Sequence, residues 1–174
     1  MKRIVAAIIL IGVGALAFAA VDWTLAATSR NEFCLSCHSH DAFIRPEYEA
    51  SSHFRNASGV RAGCADCHLP HDNVVETAVA KMAASVDVIG EWRGVISTRE
   101  KYEAHRAVMA AKVWREFEAN DSRFCRGCHD TDAMAQAAQS TAAARMHARA
   151  QENGGTCIAC HKGIVHRLPD VGSS

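Results

Sequence analysis

The pentapeptide Cys34-Leu35-Ser36-Cys37-His38 sets the pattern of this 174-residue chain. The same spacing recurs three times, at Cys64-Ala65-Asp66-Cys67-His68, Cys125-Arg126-Gly127-Cys128-His129 and Cys157-Ile158-Ala159-Cys160-His161. Two thiols at this spacing can form thioethers to the two vinyl groups of one porphyrin, and the adjacent imidazole then reaches the iron. The sequence therefore predicts four covalently bound c-type haems.

Two Cys₄ zinc sites, or a set of disulfides, are the alternative use of four such cysteine pairs. A zinc site does not need a histidine directly after each pair. The chain has 10 histidines among 174 residues. The chance that all four pairs are followed by histidine is then on the order of 10⁻⁵, if positions are independent. Haem attachment is the favoured interpretation.

The amino-terminal segment predicts a membrane span. Lys2 and Arg3 precede an uncharged run from Ile4 to Val21, and a weakly apolar run continues to Ala27. About 20 apolar residues are needed to cross a bilayer. Positive charges before the span place the N-terminus in the cytoplasm.

A cleaved signal peptide is the alternative, because Ala15-Leu16-Ala17 and Ala17-Phe18-Ala19 fit a small-x-small cleavage site. The apolar run is longer than a usual signal core. We therefore predict an uncleaved anchor over residues 1–29 in the inner (cytoplasmic) membrane. Residues 30–174 are predicted to form a periplasmic domain, and both alternatives export it.

Composition restricts the class of protein further. The chain has 19 Lys+Arg and 19 Asp+Glu, which leaves no basic surface for nucleic acid. Alanine and the N-terminal run supply much of the 49% hydrophobic content, so few large apolar side chains remain for a core. We expect the porphyrins to fill that core. The absence of alternating Val, Ile or Thr runs predicts a mainly α fold.

Capping signals place three longer helices between the motifs. These helices run from Asp72 to about Trp92, from the Ser97-Thr98-Arg99-Glu100 capping box to about Ala119, and from near Asp132 to the Gly154-Gly155 pair. The capping residues satisfy amide groups that the first helical turn leaves free, and glycine can close a helix with positive φ. The third helix carries His147.

The spacing of the motifs divides the exported part into two paired dihaem units. The motif starts Cys34 and Cys64 lie 30 residues apart, and Cys125 and Cys157 lie 32 residues apart. A duplicated two-site unit accounts for this arrangement.

Histidines outside the motifs supply candidate second ligands for the irons. His53 lies eleven residues before the second motif and His147 ten residues before the fourth, so they occupy matching places in the two units. His166 lies five residues after the fourth motif histidine and is a further candidate. His71 and His105 have no repeat partner and are expected to be surface or hydrogen-bonded residues.

Several further stretches match a known family. They are Phe33-Cys34-Leu35-Ser36-Cys37-His38, Glu47-Tyr48, Ser52-His53, Ser58-Gly59-Val60-Arg61-Ala62, Cys64-Ala65-Asp66-Cys67-His68-Leu69-Pro70, and Cys160-His161-Lys162-Gly163-Ile164-Val165-His166. With these stretches the chain resembles the NapC/NirT family of membrane-anchored tetrahaem cytochromes c over essentially its whole length. Members take electrons from membrane quinol and pass them to periplasmic partners, typically reductases of anaerobic respiration.

The resemblance implies a crossed pattern of iron ligation. His166 would complete the haem of His68, His53 that of His129, and His147 that of His161. The first haem departs from the family pattern, because the family's ligating methionine two residues after the motif histidine is replaced by His40. That replacement is expected to lower the haem's potential, since a thioether favours ferrous iron more than imidazole does. Whether His38 or His40 binds this iron stays open.

The resemblance also implies a quinol site beside the first haem, formed by an aspartate and a lysine in the helix after the second motif. Asp87 would accept a proton and Lys81 would hold a quinol oxygen. Six residues on a helix place the two about 240° apart, so Asp87 is the firmer assignment. Without the resemblance both would be taken for ordinary surface charges.

The favoured function is thus quinol dehydrogenase-type electron transport from menaquinol or ubiquinol to a periplasmic redox protein. Alternatives are a quinone reductase running in reverse, a haem relay without a quinone site, an enzyme with an open iron, and a storage module. Residues 31–174 contain 16 Lys+Arg and 18 Asp+Glu, which favours a partner with a basic patch.

Overall fold

A computed structural model describes residues 1–170 of the chain. Its α-helices are α1 (Lys2–Ala27), α2 (Asn31–Cys34), α3 (Arg45–Ala50), α4 (Cys64–His68), α5 (Val74–Trp92), α6 (Arg99–Ala119), α7 (Arg123–Arg126), α8 (Thr141–Glu152) and α9 (Cys157–Cys160). A short π-helix covers His40–Ile44 and a 3₁₀-helix covers Gln136–Ala138. These described residues contain no β-strand, so the prediction of a mainly α fold is confirmed.

Helix α1 is the single helix in the described part that is long and apolar enough to cross a membrane. None of its residues is buried against the rest of the protein. Its 26 residues extend about 39 Å, compared with about 30 Å for a bilayer's hydrocarbon core. The hydroxyls of Thr28 and Ser29 donate to carbonyls of Thr24 and Leu25, which satisfies acceptors that the end of the helix leaves free.

Helices α5 and α6 end close to where the sequence predicts, but their caps differ from the prediction. Asn73, not Asp72, caps α5, and its side-chain oxygen accepts from the amides of Val75 (2.9 Å) and Glu76 (3.2 Å). Asp and Asn are about equally favoured at the N-cap of a helix, so the sequence alone does not decide whether Asp72 or Asn73 is the capping residue. Thr98, not Ser97, caps α6.

The third predicted helix begins later than expected. Helix α8 starts at Thr141, where the Ser140 hydroxyl accepts from the Ala143 amide at 3.2 Å. Near the predicted start, the Asp132 amide instead donates to the Asp130 carboxylate at 2.9 Å, which favours a turn over a helix. The helix ends before Gly154, whose φ is +65°, and it carries His147 as predicted.

Few apolar side chains are buried among the described residues. Those with less than a tenth of their surface exposed are Phe43, Tyr48, Tyr102, Phe117, Phe124 and Ile158. Phe117, Phe124 and Ile158 form one cluster, against which Val113 and Trp114 pack. This inventory is thin for a domain of this size, as the sequence predicts.

Candidate functional site

Three histidine pairs bring a motif imidazole opposite a second imidazole. The ring centres are 6.2 Å apart for His53 and His129, 6.2 Å for His68 and His166, and 5.9 Å for His147 and His161. Two bonds of about 2 Å from imidazole nitrogens to one metal, plus about 1 Å from each nitrogen to its ring centre, give about 6 Å. The spacing therefore fits one six-coordinate iron between the rings of each pair.

The second histidine of each pair comes from a different local structure. His53 lies in the turn after α3, His147 on α8, and His166 in the segment after α9. The imidazole Nδ1 of His147 lies 2.7 Å from the Gln139 side-chain oxygen, and that of His166 lies 4.0 Å from a Glu47 oxygen. The contact with Gln139 fixes the ring orientation of His147 and leaves its other nitrogen for the metal, whereas the Nδ1 of His166 has no hydrogen-bond partner in the described structure.

The electrostatics of two pairs favour neutral imidazole, which is the form that binds a metal. Many protein atoms surround the His68 ring, although part of its surface remains accessible to solvent. This desolvation, reinforced by the nearby His166 and His40, lowers the pKa of His68 to about 4. Burial also lowers the pKa of His53 and of His166.

The cysteines fit thioether attachment. None of the eight, all within the described residues, forms a disulfide. In α4 and α9 the two cysteines of a motif are one helical turn apart, so both thiols project from the same side. Within residues 1–170, no group of three or more His, Cys, Asp or Glu side chains converges as a bare metal ion requires.

The motifs lie next to one another in sequence order. A hydrogen bond with the Cys64 thiol lowers the pKa of Cys34 to about 7 and raises the pKa of Cys64. The proximity of Cys157 adds to the effect of burial in raising the pKa of Cys125. The first motif is thus adjacent to the second, and the third to the fourth. Cys125 and Cys128 also add to burial in raising the pKa of Cys67, so the second motif is adjacent to the third as well.

Matching hydrogen bonds join the first motif to the second and the third to the fourth. Asn31, three residues before Cys34, accepts from the Cys64 amide at 2.8 Å. Ser122, three residues before Cys125, accepts from the Ile158 amide at 3.2 Å. Both acceptors precede the first motif of a unit and bind the backbone of the second. This likeness supports the two paired units, which stay a prediction.

The first motif has no facing histidine pair among the described residues. His38 is exposed and makes an edge contact with Phe43, at 6.1 Å between ring centres. His40 is half-buried, and its Nδ1 lies 2.8 Å from the Cys34 carbonyl oxygen. A proton on Nδ1, donated to this carbonyl, leaves Nε2 of His40 free as a ligand.

Sequence reasoning missed Glu91, which contacts the first motif from α5. Its carboxylate accepts hydrogen bonds from both the amide and the hydroxyl of Ser39, a fully buried residue. Burial opposes ionisation, but the two hydrogen bonds outweigh it and lower the pKa of Glu91. No local pattern signals a contact between residues so far apart in sequence.

The structure does not bring the two predicted quinol-site residues together. Lys81 donates to the Thr28 hydroxyl at 2.9 Å, directly after the end of α1. Asp87 lies on another side of α5, exposed and 3.9 Å from the Lys112 ammonium group. Asp87 is nevertheless one helical turn before Glu91, whose carboxylate accepts hydrogen bonds from Ser39, directly after the first motif.

The two remaining histidines are exposed, in agreement with the sequence. The Nδ1 of His105 lies 2.8 Å from the Lys101 carbonyl oxygen on α6. The Nδ1 of His71 lies 3.3 Å from the Leu69 carbonyl oxygen. Neither ring is opposite a motif histidine in the described structure.

Comparison with known proteins identifies the family of the chain. Residues 1–171 match the model of the NapC/NirT cytochrome c family, N-terminal region. The chain is 51% identical over 171 residues to the cytochrome c-type protein TorY of Haemophilus influenzae, covering 98% of this chain and 46% of TorY. It thus spans about half the length of that relative.

Two further relatives are covered more completely. The chain is 48% identical over 140 residues to the cytochrome c-type protein NapC of Escherichia coli, covering 80% of this chain and 70% of NapC. It is 46% identical over 158 residues to a tetraheme cytochrome-c type protein of Allochromatium vinosum, covering 90% and 85% respectively. No solved structure matches the chain.

Proposed function

Because the chain belongs to the NapC/NirT cytochrome c family, we propose that this multihaem electron-transfer protein links membrane quinol to a periplasmic redox partner. The observation that carries the proposal is the set of three facing histidine pairs. In addition, Lys81, which lies near Cys34 of the first motif, is hydrogen-bonded to Thr28 at the end of α1. Residues 1–29 are the membrane anchor, with a cytoplasmic N-terminus, and residues 30–174 form the periplasmic domain.

Eight cysteines and seven histidines are assigned to four c-type haems. The motif cysteines form the thioethers. The iron ligands are His68 with His166, His129 with His53, His161 with His147, and His40 or His38 at the first motif. When bound, each haem supplies an iron centre that takes up and releases one electron.

The quinol site lies between the end of α1 and the first motif. Lys81 is held there by Thr28, and burial lowers the pKa of this lysine. Its ammonium group holds a quinol oxygen, and Asp87 accepts a proton, because oxidation of a quinol releases two protons with its two electrons. Glu91 positions the first motif through Ser39.

The redox partner is a periplasmic protein, most simply a terminal reductase. Residues 31–174 carry two more acidic than basic side chains, 18 against 16, so a basic surface on the partner complements this domain. Charge-guided docking of this kind predicts that electron transfer to the partner slows as salt is raised.

Anaerobic mixing with quinol tests the proposal. Detergent-solubilised, haem-loaded protein is mixed with menaquinol and ubiquinol analogues, and haem reduction is followed optically. We expect rapid reduction of the wild type and slower reduction of both Asp87→Asn and Lys81→Met. For Asp87→Asn the loss of a proton acceptor should slow reduction by about 10²- to 10⁴-fold. Asp132→Asn and Arg145→Met are the charge-loss controls, because both side chains are exposed and lie in the second half of the chain, before α8 and on α8.

Other outcomes select other functions. If quinol fails to reduce the protein while the prereduced protein passes electrons to quinone, the chain is a quinone reductase fed by a periplasmic oxidation. If neither reaction occurs, it is a haem relay without a quinone site. Equal rates for the site variants and their controls would remove Asp87 and Lys81 from the mechanism.

A further inference from the structure

Helix α5 has a largely exposed apolar stripe. It consists of Val75, Val79, Met82, Val86 and Ile89, whose exposed fractions are 68%, 55%, 65%, 67% and 45%. Their spacing of three or four residues places all five within an arc of about 80° on the helix. No charged residue of α5 lies within that arc.

Every charged side chain of α5 is on other sides of the helix and bonded to the rest of the protein. Lys81 binds Thr28 and Glu91 binds Ser39. Glu76 pairs with Arg123 at 2.7 Å, and Asp87 with Lys112 at 3.9 Å. The apolar stripe is therefore the side of α5 that faces away from the first motif and from α6.

The contact with α1 fixes the level of α5 relative to the bilayer. If the hydrocarbon core begins at Ile4, about 20 residues cross it and the span ends near Trp23. Thr28 is then about 7 Å further along the helix axis, within the headgroup region. Lys81, in the middle of α5, is bonded to Thr28 and is held at this level.

We propose that the apolar stripe of α5 rests in the outer interfacial layer of the lipid bilayer. A helix with one apolar face and one charged face is typical of this position. Trp92, with 90% of its surface exposed at the end of α5, is the residue type that favours this interface.

This placement deepens the proposed function, because it lets a lipid-soluble quinol reach Lys81 without crossing water. It rests on anchoring by α1 and not on the electron-transfer chemistry. Lipid contact is therefore measured directly, by a readout that needs no turnover.

Photolabelling of the full-length, haem-loaded protein in phospholipid vesicles tests the placement. The vesicles contain a phospholipid with a photoactivatable acyl chain, and adducts are located by mass spectrometry after digestion. We expect adducts on the Val75–Ile89 stripe as well as on α1. Val108 on α6 is the internal control, since it is an equally exposed valine, at 71%, and we expect no adducts there.

A double variant, Val79→Asp with Val86→Asp, is compared with the control Val108→Asp. Because the substituted positions are exposed, we expect all variants to keep four haems and normal reduction by dithionite. The double variant should lose most α5 adducts and slow reduction by vesicle-embedded quinol several-fold, whereas the control should do neither.

Adducts confined to α1 would overturn the proposal. Crosslinks between stripes of two copies, without lipid adducts, would also overturn it and identify a second copy as the occupant. If lipid adducts form on α5 but quinol does not reduce the protein, the lipid contact stands and the proposed function fails. These failures are thereby distinguished.

Discussion

At the scale of single residues, His40 and His38 differ in what surrounds them. His40 has a backbone carbonyl 2.8 Å from one ring nitrogen, whereas His38 makes an edge contact with Phe43. A metal-binding histidine usually donates its second N–H to such a group, so we expect His40 to ligate the first iron. His40→Ala should change the electron paramagnetic resonance signal of one haem, and His38→Ala should leave all signals unchanged.

Only variants whose intact mass shows four attached haems enter that comparison, since loss of a motif histidine can impair attachment. His40→Met gives a second readout. A thioether ligand should raise the midpoint potential of one haem and leave the other three in place. A spectrum altered by His38→Ala alone would assign the iron to His38.

At the scale of elements, Arg106 joins three parts of the chain. Only 4% exposed on α6, it donates to Glu47 of α3 at 2.6 and 3.0 Å, to Glu103 at 2.6 Å, and to the Arg167 carbonyl at 3.1 Å. Arg106→Met removes the guanidinium from both carboxylates, leaving Glu47 with the Arg167 amide and Glu103 with the Arg167 side chain. It should destabilise the protein by about 3 kcal/mol, the low end for breaking a buried pair. Thermal unfolding of the haem-loaded protein, followed by circular dichroism, measures the loss.

Arg99→Met is the control for Arg106→Met, because Arg99 is exposed and its contact with Glu103 is long, at 3.5 Å compared with 2.6 Å for Arg106. It should cost no more than about 1 kcal/mol.

Burial opposes ionisation of Glu47, but hydrogen bonds from Arg106 and the Arg167 amide outweigh it and lower its pKa. The stabilisation is therefore complete above the ordinary Glu pKa of about 4.3 and is lost as pH falls through the lower folded value. A wild-type advantage that persisted unchanged below this range would contradict the assignment.

The elements also show which features a sequence can predict. Haem attachment follows from spacing within five residues, and His53 and His147 follow from the repeat, because both are local or periodic signals. The start of α8 does not follow from one local signal, because Asp130 and Ser140 each accept a hydrogen bond from a backbone amide a few residues further on, and only the bond to Ser140 opens a helix. The contact of Glu91 with Ser39 depends on how α5 packs, and no local pattern records it.

At the scale of the whole molecule, the histidine pairs replace much of a conventional core. The buried apolar cluster of Phe117, Phe124 and Ile158 lies beside the third and fourth motifs, and Phe117 also lies 6.5 Å from His68, measured between ring centres. The sites predicted for the second, third and fourth haems thus lie beside this cluster. Electron transfer and folding consequently depend on the same groups, since a porphyrin between two histidines supplies apolar surface that the sequence lacks.

This dependence predicts that the chain without haem does not fold beyond its membrane span. When the protein is produced without haem attachment and placed in detergent, we expect circular dichroism to show helix for α1 and no cooperative thermal transition. Limited proteolysis should cleave residues 30–170 throughout, whereas the haem-loaded protein resists, because its helices are fixed against the prosthetic groups. The double variant Cys125→Ala with Cys128→Ala should lie between these states, and Ser85→Ala, at an exposed position of α5, should match the wild type. A cooperative transition in the haem-free chain would mean that the six buried apolar side chains suffice as a core.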